Sequence, residues 1–213
     1  MRATMKNFHP LAFMPSPAQA RLTAQFLAAM FPVDATVVDV GFGMGIFLEE
    51  ATIRGLHPIG IDRDPRFVES ARAIGHDAFQ ATAPELDAVI AQQVDGILAQ
   101  QLVEHLTPAE AERFLSSAAS IVAPGGLLVI VTPNFRDWRV ASELFWVDPT
   151  HIRPYNAGSL QALAGNSSWV LEASGDEPLR MTRHALLDRL RRLKYGADYG
   201  KCSKWYRFRR LPN

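Results

Sequence analysis

This sequence predicts an α/β fold, a mostly parallel sheet with helices on both faces. Short β-branched apolar runs alternate with amphipathic runs along the chain, the pattern of strands joined by helical crossovers. The first apolar run, Thr36 to Val40, leads through Gly41-Phe-Gly-Met-Gly45 directly into a helical run, as a buried strand, a tight turn and a helix start would. At 213 residues, 48% hydrophobic and 21% charged, the chain fits one domain, residues 1–213, with a sizeable core.

Taken in order, residues 1–35 form a leading segment in which Ala18 to Met30 is helical after the Pro15–Pro17 stretch. Thr36 to Val40 is the first strand, and Ile46 to Arg54 a helix that Gly55 ends. His57 to Ile61 is a strand closed by Asp62, and Pro65 to Ala73 a helix with proline in its first turn. Ala78 to Gln80 is a weak third strand, Pro84 to Gln92 a short helix, and Gly96 to Gln100 a fourth strand. Thr107-Pro-Ala-Glu110 has the residues of a capping box, opening a helix to about Ala123. Pro124-Gly125-Gly126 makes a turn before the buried strand Leu127 to Thr132. Residues 133–155 have no clean period and several prolines and aromatics, and read as a long functional loop. Gly158 to Ala164 is helical, Trp169 to Ala173 a sixth strand, His184 to Lys194 a basic helix and Lys204 to Leu211 a last strand.

Composition narrows the functional classes. No apolar run reaches the roughly 20 residues that span a bilayer, and the N-terminus lacks the apolar core of a signal peptide. A cytoplasmic protein is expected. The single cysteine, Cys202, rules out an internal disulfide and a multi-cysteine zinc site. Net charge is zero but uneven: residues 180–213 hold eleven Lys and Arg against two acids, Asp188 and Asp198. In the expected helix His184 to Lys194, leucines 186, 187, 190 and 193 share a face flanked by cations. That pattern suits contact with an anionic membrane surface, and it equally suits packing on the chain's own acidic body.

Four stretches in order carry a resemblance: VVDVGFGMG, PIGIDRDP, DGILAQQLVEHL and APGGLLVIVTPN. Together they resemble the class I S-adenosylmethionine-dependent methyltransferases, nearest the small bacterial members that act on sugars, polysaccharides and small molecules. The resemblance implies a Rossmann-like sheet of about seven strands and S-adenosyl-L-methionine as cofactor. It implies that Gly41, Gly43 and Gly45 bring the backbone against the methionyl and ribose parts, and that Asp39 helps hold the amino group. Asp62, at the end of the second strand, would accept both ribose hydroxyls; its alternative role is a helix cap. Arg63 would lie along the adenine edge. Thr82 and Ala83 stand where the family commonly has an acid for the adenine amino group, so a hydroxyl would replace that bond. Gln100 leaves the fourth strand at the site.

Methyl transfer from a sulfonium is an in-line displacement, in which positioning and deprotonation of the acceptor are the protein's main work. An oxygen acceptor favours a general base, and imidazole suits the task. His105, in the Glu104-His105 pair, and His151 are the two candidates. His151 sits in Phe145-Trp-Val-Asp-Pro-Thr-His-Ile-Arg-Pro-Tyr155, which resembles the D-P-T-H-x-R-P stretch of polysaccharide-related members. There Trp146, Asp148, Arg153 and Tyr155 are candidate acceptor-binding residues. Asp148 and His151 are too few ligands to predict a metal. The expected function is O-methylation of a sugar-type or other small-molecule acceptor. Alternatives are a quinone precursor or other aromatic acceptor, RNA, and a non-catalytic partner protein. Nucleic acid is disfavoured because no RNA-binding module is appended.

Overall fold

A computed structural model describes residues 16–165, 168–178, 190, 193–194, 196–198 and 200–212. The expected basic helix His184 to Lys194 lies almost wholly outside the described residues, as do residues 1–15. The described strands are β1 Thr36–Val40, β2 His57–Asp62, β3 Asp77–Gln80, β4 Val94–Gln100, β5 Val122–Pro133, β6 Trp169–Asp176 and β7 Ser203–Arg210. They form one seven-stranded sheet in the order β3-β2-β1-β4-β5-β7-β6. The pairs from β3 to β5 are parallel, and β7 is antiparallel to both β5 and β6. The helices are α1 Pro17–Ala28, α2 Ile46–Ile53, α3 Pro65–Ala73, α4 Leu86–Val89, α5 Pro108–Ile121, α6 Trp138–Ser142 and α7 Ala157–Ala164. The expected α/β architecture is the observed one.

Alternation along each central strand explains the layers. Val38, Val40, Ile97, Ala99, Leu128 and Ile130 join Phe114, Leu115 and Leu160 in a core under α4, α5 and α7. Val37, Leu98, Val129 and Val131 point the other way, onto Leu27, Ala28, Phe47 and Ala51 of α1 and α2. Strands buried on both faces read as continuous apolar runs, and these do. The order of strands reverses between β1 and β4, so the carboxyl ends of these two strands flank the crevice where open α/β sheets bind ligands.

Local signals mark most helix ends. Ser16 caps α1 through Gln19 N–H. In the capping box at α5, Thr107 Oγ1 accepts from Glu110 N–H while Glu110 Oε2 accepts from Thr107 N–H. Asp64, not Asp62, caps α3 by accepting from Arg66 N–H. That frees Asp62 from the capping role.

Three elements differ from expectation. The short helix after β3 splits into a 3₁₀ turn, Ala83–Glu85, and a single-turn α4. The Pro124-Gly125-Gly126 turn is a bulge inside β5: Val122 already pairs with Val94, and pairing resumes at Gly96 and Leu127. Residues 133–155 are not an open loop. They hold α6 and a 3₁₀ turn, Leu144–Val147, and they are tied to the approach to β7. Asn134 N–H and Nδ2 donate to the carbonyls of Cys202 and Lys201, each at 2.8 Å. Asp137, 1% exposed, accepts from Gly200 N–H at 2.9 Å.

Four described basic residues of the C-terminal region meet acids of the same chain, while Arg210 donates to the Val122 carbonyl. Lys201 and Lys204 pair with Asp176, and Arg207 and Arg209 share Glu172. Among the described residues, no helix is long and apolar enough to cross a membrane.

Candidate active site

One wall of the crevice is built from backbone. Gly41 N–H donates to Ile61 C=O at 2.7 Å, extending the β1–β2 ladder by one bond. The chain then turns through Gly41, Gly43 and Gly45 at φ +78°, +53° and +74°, conformations that side chains rarely take. A Cβ on Gly43 would meet nothing within 4 Å, so the turn faces open space. Gly43 N–H and Asp64 N–H donate to the two carboxylate oxygens of Asp62, at 3.0 and 2.9 Å. A carboxylate offers about four acceptor sites, so Asp62, 8% exposed, keeps one on each oxygen for a further donor.

Asp39 is 3% exposed, and no hydrogen bond reaches its carboxylate from the described residues. Burial, reinforced by the Asp62 charge, pushes it up to about 8. A buried carboxyl without a donor, near a second carboxylate, is a site for a cation. A cavity of about 290 Å³ opens beside this turn, lined by Gly41, Asp62, Arg63, Thr82 and Ala83 on one side and by Leu102, His105 and Thr150 on the other. This donor set fits S-adenosylmethionine: two free acceptor sites at the end of β2 for vicinal hydroxyls, and the Asp39 carboxyl for an ammonium.

The second wall is built from side chains. Glu104 lies in the 3₁₀ turn Val103–His105 and is fully buried. Its Oε2 accepts from Thr132 Oγ1 at 3.2 Å, Oε1 has no partner, and burial pushes the carboxyl up to about 8. Its backbone carbonyl accepts from Ile152 N–H at 2.7 Å, docking residues 148–153 over the turn. The His105 and His151 rings come within 4.7 Å, centroid to centroid. His151 stacks on Phe145 at 4.4 Å. Its Nδ1 lies 2.6 Å from the Phe145 carbonyl. A carbonyl only accepts, so Nδ1 carries a proton. Partial burial, then the neighbouring His151, hold His105 below its ordinary pKa, so near neutral pH its ring is uncharged and able to accept a proton.

Of the expected residues, Gly41, Asp62, Arg63, Thr82, Ala83 and His105 line the cavity; Gly43 and Asp39 stand behind it next to Asp62, His151 against His105 and Asp148 against Thr150. Several expected residues have partners of their own. The Gln100 amide donates to Glu177 at 3.3 Å, and Gln100 shares its face of the sheet with Asp39 by register. The Thr82 hydroxyl donates to Glu85 at 2.6 Å, so its proton is already engaged. Tyr155 is 2% exposed and belongs to the core, with the Arg153 guanidinium 5.0 Å above its ring. It cannot stack on an acceptor. Trp146 is 59% exposed, its indole N–H donating to Ala141 C=O and its ring packed edge-to-face with Phe145.

Sequence reasoning missed Leu102, Leu106, Glu110 and Thr150 as cavity-lining residues. For Thr150 a signal existed: Asp148-x-Thr150 is an Asx-turn pattern, and Asp148 accepts from both its N–H and its hydroxyl. Among the described residues, one group could hold a metal ion: Glu104, His105 and His151 offer donor atoms within 4.8 Å of one another.

Comparison with known proteins bears on this site. A family model described as a methyltransferase domain matches residues 12–173. A ubiquinone biosynthesis O-methyltransferase of Bradyrhizobium sp. is 32% identical over 109 residues, 48% of this chain and 41% of that protein. The match thus spans about two fifths of the length of such curated relatives. A methyltransferase from Archaeoglobus fulgidus, described as SAM-dependent, superposes with a TM-score of 0.73 at 18% identity, covering 93% of this chain and 96% of that one. Magnesium protoporphyrin IX methyltransferase from Synechocystis, solved with SAM bound, gives 0.62 at 12% identity over 91% and 80%. At these identities the structural likeness is one of fold.

Proposed function

The chain belongs to the methyltransferase-domain family, in its class I S-adenosylmethionine-dependent form, and on that premise we propose that it methylates an oxygen of a small hydroxylated acceptor of the sugar or polysaccharide type, with His105 as general base. The observation that carries this reading is the neutral His105 ring lining the crevice next to the glycine turn and Asp62.

S-adenosylmethionine supplies an electrophilic methyl group on a good leaving group. The chain's residues do the rest. The glycine turn leaves room for the backbone to approach the ligand, and Asp62 offers its two free acceptor sites to paired hydroxyls. Asp39 loses its proton to become the counter-charge for an ammonium. His105 accepts the hydroxyl proton at Nε2 as the oxygen becomes nucleophilic. Leu102 and Leu106 contribute apolar lining that excludes water beside the base. Trp146, with its exposed ring, is suited to stack on a flat acceptor.

A second reading, a phenolic quinone precursor as acceptor, is favoured by the ubiquinone-biosynthesis names of the curated relatives. A phenol needs less help from a base than an alcohol, so His105→Ala separates the two: a phenol at high pH retains turnover and a sugar hydroxyl does not. The direct test is calorimetric titration with S-adenosylhomocysteine, followed by a screen of glycosidic and catechol acceptors for S-adenosylhomocysteine release. Failure to bind S-adenosylhomocysteine overturns the reading.

A further inference from the structure

We infer that Thr150, oriented by Asp148, is a positioning residue that holds His105 with its proton on Nδ1 and its lone pair on Nε2. The inference rests on the reading of His105 as the base, but its principal test does not.

The argument is a count of protons. Thr150 Oγ1 lies 2.8 Å from His105 Nδ1 and 2.7 Å from Asp148 Oδ1. A hydroxyl has one proton to give. The Asp148 carboxylate is exposed and ionised: burial raises it, but the hydrogen bonds from the Thr150 hydroxyl and N–H hold it below its ordinary value. An ionised carboxylate only accepts, so the Thr150 proton goes to Asp148. Oγ1 then has only lone pairs to show His105, and Nδ1 must donate. The same Asp148 oxygen accepts Thr150 N–H at 2.8 Å, which holds the hydroxyl's backbone in place. The partner of one imidazole nitrogen decides where the other's lone pair lies.

The neighbouring ring also has a proton on Nδ1, by a different device. His151 uses a backbone carbonyl, which no side-chain substitution removes. At His105 the Nδ1 partner is an exposed side chain forty-five residues away in sequence, beside a hydrogen bond with the Thr150 backbone. A free neutral imidazole favours the proton on Nε2, so without Thr150 the lone pair would move to Nδ1, away from the position a base here requires. The role is one of orientation, separate from any contact that Thr150 makes as part of the cavity lining.

The test is nitrogen NMR of the protein labelled at histidine, at a pH where the rings are neutral, with the His105 signals assigned by their loss in His105→Ala. The parent should show His105 protonated at Nδ1. Thr150→Val should move the population toward Nε2–H, and Thr150→Ser should restore Nδ1–H. Asp148→Ala should also move it toward Nε2–H, because the freed hydroxyl can then donate. His151 should keep its Nδ1 proton in Thr150→Val and Thr150→Ser. A parent protonated at Nε2, or a Thr150→Val variant that keeps Nδ1–H, overturns the inference. On an acceptor found by the screen above, Thr150→Val should lower kcat at least about tenfold, with the serine variant restoring it. Parental turnover in His105→Ala alongside the expected tautomer shift would remove the base reading and leave the positioning intact. An inactive His105→Ala beside an unshifted, fully active Thr150→Val would do the reverse.

Discussion

The two walls of the crevice are made differently. The cofactor wall, from Asp39 to Asp64, is backbone: strand ends in register, a turn through three positive-φ glycines, and main-chain N–H groups aimed at Asp62. Its parts lie within about one βαβ unit, so local geometry almost suffices to set them. The acceptor wall is side chain on side chain: His105 on Thr150, Thr150 on Asp148, His151 on Phe145. Its segment is placed by long-range ties, from Asn134 and Asp137 to residues 200–202 and from Ile152 to Glu104. On the proposed reading, the first wall would govern cofactor binding, with Asp62 its point of failure, and the second would govern proton transfer, where single side-chain substitutions would disable it.

Substitutions should therefore separate along this line. The largest effect is expected for His105→Ala, which should lower kcat by about 10²–10⁴ with little change in S-adenosylhomocysteine affinity. Equal losses in both quantities would merge the two walls into one. Next, Asp62→Ala should weaken S-adenosylhomocysteine at least about tenfold, since charge-assisted hydrogen bonds contribute about 1.5–3 kcal/mol each. Parental affinity in a folded Asp62→Ala protein, measured by calorimetry, would remove Asp62 from the binding wall.

A smaller effect concerns protons. Asp39 has a folded pKa of about 8, far above an ordinary aspartate, so the folded state keeps a proton that the unfolded state releases. The stability linked to that proton is full below about pH 4 and is lost as pH rises through about 8. Glu104, also pushed to about 8 by burial, acts in the same direction. Melting temperature without ligand should fall across that window, and fall less in Asp39→Asn. If Asp39 meets an ammonium, ligand binding near neutral pH should release a proton, visible as a buffer-dependent binding enthalpy that Asp39→Asn abolishes. A buffer-independent enthalpy in the parent would show that the carboxyl does not change state.

The smallest effect is expected for Thr82→Ala. Its hydroxyl already donates to Glu85, so affinity should change by under about threefold, less than the ~1 kcal/mol of a typical hydrogen bond. A tenfold loss by the same titration would return Thr82 to the adenine contacts.

These differences follow what a linear sequence can carry. The fold class, the strand and helix order through β5, the cap at Thr107, and the glycine turn with its flanking acids were legible, because propensity, periodicity and capping act between residues a few positions apart. The Asp148 to Arg153 segment was legible as chemistry, through its residue types alone. What the tertiary structure decided is which way those side chains point. Gln100 turned to Glu177, seventy-seven residues later, because β4 presents it to the face shared with β7. Tyr155 went into the core beneath Arg153, although it reads in sequence as one more aromatic of the acceptor segment. Thr150 became the link between Asp148 and His105 only once Ile152 docked on Glu104. Hydrogen bonds between distant segments depend on where the whole sheet places both partners, and no local pattern in the sequence encodes that distance.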